Sequence, residues 1–174
     1  MEELKSFIRN IPDFPKPGIQ FKDVTTLFED RYGWQMCLDA FEAILRYTPI
    51  DKIAGVEARG FVLAAALADR LKTGLVLVRK KGKLPGDVIR QTYELEYGTD
   101  EIEMHQGTVK PGERVLIMDD LLATGGTLEA AAKLVEKLGG QVVSTACIIE
   151  LTPLKGRQRI GKYPFISLIS YDED

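Results

Sequence analysis

Sulfur, imidazole and net charge are all scarce in this sequence. It holds two cysteines, Cys37 and Cys147, one histidine, His105, and one tryptophan, Trp34. Two thiols and one imidazole exclude a disulfide scaffold and fall short of a Cys/His zinc site. Both cysteines lie inside apolar stretches, the usage expected of a reducing, cytoplasmic compartment. Lys and Arg number 23 against 26 Asp and Glu, a net charge of −3. Nothing in that balance suits a dedicated nucleic-acid binder or a membrane-surface protein. No apolar run approaches the ~18 residues of a membrane span. The start, Glu2-Glu3-Leu4-Lys5, lacks the basic, apolar and small-residue regions of a signal peptide. No internal repeat of fixed period is present.

What remains is ordinary globular material: 174 residues, 45% hydrophobic and 28% charged. That length suits one domain, 1–174, with enough core to need no staples. Residues 3–9 read as a short helix, stopped by Pro12, Pro15 and Pro17. Residues 34–47 carry Cys37, Ala40, Phe41, Ile44 and Leu45 at helical spacing. A strand is expected over 52–56, a deeply buried helix over 61–71, and a strand over 75–78. Residues 80–113 break this rhythm with Gly82, Pro85, Gly86, Gly98, Gly107, Pro111 and Gly112. They read as a mobile loop followed by an antiparallel flap over 92–97 and 101–105. Strands at 115–118, 142–149 and 165–169 and a helix at 127–138 complete the pattern. The expected fold is α/β: a mainly parallel five-stranded core sheet, its strands covered on both faces by helices.

In such sheets ligands bind beyond the carboxyl ends of the strands. Those ends carry Glu57-Ala58-Arg59-Gly60, then Arg79-Lys80-Lys81-Gly82-Lys83, then Asp119 to Thr127, then Glu150-Leu151-Thr152. The third is the most informative. Asp119 and Asp120 leave an apolar strand, and Ala123, Thr124, Gly125, Gly126 and Thr127 turn into a helix. Small residues there let amides and hydroxyls converge on a phosphate. The two carboxylates suit sugar hydroxyls or a hydrated cation. A tight strand–helix turn with capping side chains accounts for the same residues without any ligand. A Walker NTPase does not fit, because Gly55–Gly60 and Gly107–Gly112 are followed by Phe61-Val62 and Glu113-Arg114 rather than Lys and Ser or Thr. No G-x-G-x-x-G is present.

The stretch Val115-Leu116-Ile117-Met118-Asp119-Asp120-Leu121-Leu122-Ala123-Thr124-Gly125-Gly126-Thr127 resembles the signature of the type I phosphoribosyltransferases. The likeness spans essentially the whole chain and is strongest to the adenine phosphoribosyltransferases. Phe14 to Asp23, Glu57 to Phe61, Arg79 to Gly86, Leu95 to Gly98 and Glu150 to Arg157 carry it. The resemblance implies the type I phosphoribosyltransferase fold, with a base-side segment at 1–28 and a flap or hood. It implies transfer of a phosphoribosyl group from phosphoribosyl pyrophosphate (PRPP) to adenine, giving AMP and pyrophosphate. Mg²⁺ would come bound to PRPP, with no metal site of the protein's own, and the protein would be a homodimer.

By position, Ala123 to Thr127 would hold the 5′-phosphate, and Asp119 and Asp120 the ribose hydroxyls. Ala58, Arg59, Arg79, Lys80, Lys83 and Tyr97 would meet the pyrophosphate. Phe21, Lys22 and Leu151 would form the adenine site. Glu96 and Arg59 would be catalytic, Glu96 by assisting proton movement at the purine. Family members carry a non-proline cis peptide between the positions of Ala58 and Arg59. Gln20 and Lys22 stand where relatives carry an aliphatic residue and an arginine. His105, Cys37, Cys147 and Trp34 match no catalytic position. Two alternatives stay open: a phosphoribosyltransferase for 6-oxopurines such as hypoxanthine or xanthine, and a non-catalytic PRPP-sensing regulator. Ile148 to Thr152 lacks the lysine typical of the former, and the N-terminal residues lack the basic helix-turn-helix of the latter.

Overall fold

The computed structural model describes residues 2–95 and 98–172. The chain starts with α1 (Glu2–Lys5) and a hairpin of β1 (Arg9–Pro12) and β2 (Gln20–Asp23). The hairpin stands apart from the main sheet, with Ile11 opposite Phe21 and Asn10 opposite Lys22. Sequence reading misses it, because three prolines mask two four-residue strands. Edge pairing tolerates Pro12, which ends β1. Next come α2 (Thr25–Glu29) and α3 (Arg31–Leu45), the latter opened by Asp30, whose carboxylate accepts from Gly33 N.

The expected core strands follow as β3 (Lys52–Val56), β4 (Gly74–Lys80), β7 (Arg114–Leu122), β8 (Gln141–Leu151) and β9 (Phe165–Tyr171). Between them lie α4 (Arg59–Leu71), β5 (Val88–Glu94), β6 (Thr99–His105), α5 (Gly126–Lys137) and the short α6 (Gly156–Arg159). The sheet order is β5-β6-β4-β3-β7-β8-β9. The five core strands run parallel, and β5 and β6 form an antiparallel edge reaching β4 only at Arg79 and Lys80.

Strand alternation divides the core in two. Ile53, Leu116, Met118 and Ile148 face a cluster with Leu63 and Leu67 of α4 and Phe41 of α3. Ala54, Val76, Ile117 and Cys147 face the other side, with Leu128, Ala131 and Val135 of α5. Full cover on both faces fails at one place. Helix α4 buries one stripe, Gly60, Leu63, Ala64, Leu67 and Ala68, while Val62 on it is 45% exposed. On β4, Leu75 and Leu77 are 42% and 39% exposed, because Val76 and Val78 take the α5 side and α4 reaches only part of the opposite one. The helix is amphipathic rather than buried all round.

The flap is longer than expected. Strand β5 pairs with β6 along its whole length, from Val88–His105 to Glu94–Thr99, and buries Tyr93. The mobile loop expected ahead of the flap is therefore confined to residues 81–87, because the ladder already begins at Val88.

Candidate active site

The order of the core strands reverses between β3 and β7: β4 lies to one side of β3, and β7, β8 and β9 to the other. The crevice beyond such a reversal is where open α/β sheets bind ligands. The turn after β3 and the end of β7 supply its two walls.

The β3 turn carries a cis, non-proline peptide between Glu57 and Ala58, one bond before the position expected from family resemblance. Arg59 is already the first residue of α4, so the Ala58–Arg59 peptide belongs to the helical trace. Arg59 donates through Nε to Oδ2 of Asp120 at 2.5 Å. Its guanidinium lies 5.8 Å from the Phe21 ring, and Phe14 packs edge-on against Phe21 at 5.1 Å. Gly60 makes the close approach possible. A Cβ there would stand 2.9 Å from Met118 O and 3.0 Å from Asp119 Cα.

Asp120 is buried, and its N–H donates to Oδ1 of Asp119 at 2.8 Å. Burial among the strand ends, reinforced by the adjacent Asp120 carboxylate, pushes the Asp119 carboxyl well above the usual carboxylate range. Ala123 to Leu128 then curl around a small hollow of about 70 Å³, which Asp119 also lines. Gly125 has φ of +84°, a conformation glycine adopts without strain. Among the described residues no side chain caps the N-terminus of α5, which opens on this hollow. Gly126, without a positive φ, has tight surroundings. A Cβ on it would meet Arg159 Nη1 at 3.0 Å and Tyr93 Cδ2 at 3.1 Å.

The basic stretch after β4 divides. Arg79 pairs with Glu57 at 3.1 Å, and the same carboxylate oxygen accepts from Lys80 N at 2.8 Å. Arg79 Nη1 also donates to Lys83 O at 3.1 Å, turning the chain beside the crevice. Lys80 Nζ instead donates to the Tyr93 hydroxyl at 2.8 Å and to Asp100, tying the flap to β4. Lys83 is exposed. On the hairpin, Phe21 lies beside Arg59, whereas Lys22 donates to Asn10 Oδ1 at 2.9 Å and sits 4.6 Å over the Tyr171 ring. Tyr171 is the β9 partner of Leu151 at the end of β8, so the hairpin spans both ends of the crevice. Gln20 accepts from Asn10 at 2.6 Å. Arg9 and Thr25 fix the hairpin base through Asp23; burial disfavours that carboxylate's charge, but their hydrogen bonds outweigh it and hold its pKa low.

The crevice thus gathers Ala58, Arg59, Asp119, Asp120 and Phe21 beside the Ala123–Thr127 turn. Lys80 is engaged by the flap. Glu96 and Tyr97 lie outside the described residues. Cys37 and Cys147 are buried and free. Burial drives the Cys37 thiol up to about 12, away from any reactive thiolate. Sequence reading assigns no role to Gly156 and Arg157, although a glycine flanked by Lys155 and Arg157 was a visible sign of a close approach.

A mainly parallel sheet with a carboxylate pair and a glycine-rich strand–helix turn at its switch point belongs to the α/β proteins that bind ligands at that edge. In agreement, the family model for the phosphoribosyl transferase domain matches residues 34–170. The adenine phosphoribosyltransferase of Rhodospirillum rubrum is 54% identical over 169 residues, covering 97% of this chain and 98% of that protein. The crystal structure of adenine phosphoribosyltransferase from Thermoanaerobacter pseudethanolicus superposes with a TM-score of 0.95 at 51% identity, over 98% of this chain and 99% of that one. The Saccharomyces cerevisiae enzyme, complexed with an imino-altritol bisphosphate and adenine, gives 0.91 at 40% identity, over 97% of each chain. The chain belongs to the adenine phosphoribosyltransferase family. No helix among the described residues is long and apolar enough to cross a membrane.

Proposed function

We propose that the protein transfers the 5-phosphoribosyl group of PRPP to adenine, releasing AMP and pyrophosphate. The observation that carries this reading is the meeting of Arg59, Asp119 and Asp120 with the Ala123–Thr127 turn at the sheet's switch point. The hollow at the N-terminus of α5 takes the 5′-phosphate, with Thr124 and Thr127 as hydroxyl donors. Asp119 and Asp120 accept from the ribose hydroxyls. Arg59 neutralises the leaving pyrophosphate, with Ala58 beside it. Arg79, Lys80, Lys83 and Tyr97 approach the same group once the flap and the 81–87 segment close.

Phe21 stacks on adenine with Leu151 against the other face, and the β2 backbone around Lys22 reads the purine edge. The ribosyl centre becomes oxocarbenium-like as the glycosidic bond to pyrophosphate breaks. No side chain has to act as a nucleophile; adenine nitrogen attacks, and Glu96 in the flap handles its proton. Positioning and charge stabilisation therefore do most of the work. Mg²⁺, when carried by PRPP, supplies positive charge to the pyrophosphate oxygens. Two neighbouring carboxylates at the crevice, Asp119 and Asp120, suit a hydrated cation as well as hydroxyls.

The same reading makes the protein a cytoplasmic homodimer, with residues 1–174 as one domain. The exposed Val62, Leu75 and Leu77 support self-association, and two free, buried thiols suit a reducing compartment. Chromatography of AMP formed from adenine and PRPP tests the reaction. Absence of AMP at any Mg²⁺ concentration rejects it.

A further inference from the structure

The loop after β8 meets the proposed phosphate turn backbone to backbone, with the Leu122 side chain beside the contact. Gly156 opens α6 directly beneath Ala123 and Gly125. A Cβ built on Gly156 would lie 2.2 Å from Ala123 O, and one on Gly125 would lie 2.7 Å from Gly156 O. Each glycine therefore leaves room for the other's chain. The reasons differ: Gly125 also has φ of +84°, while Gly156 sits in a helical turn that alanine adopts readily. At Gly156 only the contact itself demands glycine.

Several contacts hold this loop against the sheet. Arg157 Nε donates to Glu150 Oε1 at 2.9 Å, and its Nη2 to the other oxygen of the same buried carboxylate. Ser167 Oγ donates to Glu150 at 3.0 Å, and the Arg157 guanidinium lies 4.6 Å from the Phe165 ring. Ile160, just past α6, is fully buried in the α5-side core. The loop is a fixed support rather than a loose cover. Leu151, at the start of this region, is held separately by its ladder to Tyr171.

We infer that Gly156 is a positioning residue for the 5′-phosphate, holding the Ala123–Gly125 turn at its binding height from the loop clamped by Arg157 and Glu150. The inference rests on the assignment of that turn to PRPP made above. An alanine at 156 must part the two backbones by about 1 Å to bring 2.2 Å to an ordinary contact of 3.4 Å. A displacement of that size at a binding element costs about 10²-fold. It falls on the phosphate side, while the adenine wall stays on its own ladder.

The test compares wild type, Gly156→Ala and Arg157→Gln in steady-state kinetics and in calorimetric binding of PRPP with Mg²⁺. For Gly156→Ala, kcat/KM for PRPP should drop by about 10²-fold, and KM for adenine at saturating PRPP should stay within about twofold. Arg157→Gln, which loosens the clamp without a clash, should weaken PRPP about tenfold with the same selectivity. Wild-type PRPP kinetics in Gly156→Ala, or equal loss toward both substrates, overturns the inference. Should Gly156→Ala fail to fold, Arg157→Gln decides by the same criteria. A wild type that binds PRPP but forms no AMP rejects the transferase reading, and the binding comparison still decides this one. A wild type that binds no PRPP overturns both.

Discussion

Removing the Arg59 side chain should damage stability and catalysis by separable routes. Asp120 is buried, with a side chain only 7% exposed, and its Oδ2 accepts from Arg59 Nε at 2.5 Å. Arg59→Ala leaves that carboxylate without its counter-charge. Hydrogen bonds to charged groups contribute about 1.5–3 kcal/mol. The Arg59 side chain is 44% exposed, so solvent screening places the loss at the lower end, about 1.5 kcal/mol. For a chain of this size that is about 3–6 °C in melting temperature. Asp120→Asn removes the buried charge, so the double variant should melt above Arg59→Ala alone, a non-additivity that a double-mutant cycle reads directly. Differential scanning calorimetry at neutral pH on the four proteins is sufficient. The reasoning is refuted if Arg59→Ala melts within about 1 °C of wild type, or if the two changes simply add. The double variant should remain inactive despite its recovered stability if Arg59 is the cation offered to pyrophosphate as proposed.

Stability should also depend on acid pH. Arg114 hydrogen bonds hold the Asp51 carboxyl below the usual carboxylate range, and Arg157 does the same for Glu150. A lowered folded pKa adds stability above the unfolded value, near 4, which is lost as pH falls through the folded value. Melting temperatures should drop below about pH 4, and Asp51→Asn should flatten that drop; an unchanged slope contradicts the pairing. Phe21→Ala should weaken adenine binding without admitting hypoxanthine, and competition binding in which the variant holds adenine as tightly as wild type rejects the stacking role. Amides of residues 81–87 should gain protection from hydrogen exchange when both substrates are bound, because a closed segment guards the ribosyl centre from water. Identical exchange in free and bound protein would leave that segment without a lid function.

Strands and helices with strong apolar runs were legible in sequence because burial on both faces or on one stripe leaves a periodic mark. The core strands from Lys52–Val56 to Phe165–Tyr171 and the helices α3, α4 and α5 all show it. The β1–β2 hairpin was hidden because its four-residue strands alternate weakly and stand among prolines. Leu75 and Leu77 misled for a related reason: an apolar residue at a sheet position reads as covered whether or not this chain supplies the cover. The strand–helix turn was readable from Thr124-Gly125-Gly126-Thr127, since consecutive small residues before a helix mark a tight turn. Which glycine answers to backbone conformation and which to space was not. Gly125 carries a positive φ and also clears Gly156 O, while Gly156 clears Ala123 O, contacts more than 30 residues away in sequence. The contacts of Lys80 to Tyr93 and Asp100 leave no mark in sequence, because only the fold brings the flap to it.

Base choice is the sharpest readout of the proposed adenine site. Adenine offers an exocyclic amino donor where hypoxanthine, guanine and xanthine offer an acceptor oxygen. A site reading that edge through fixed β2 backbone groups leaves buried polar atoms unmatched with the wrong purine, a discrimination of about 10⁴–10⁵. Radiolabelled adenine, hypoxanthine, guanine and xanthine should each be incubated with the protein, PRPP and Mg²⁺, and nucleotide formation followed over time. Rapid AMP formation is expected, with only trace product from the three oxopurines. Comparable turnover of any oxopurine would contradict that expectation.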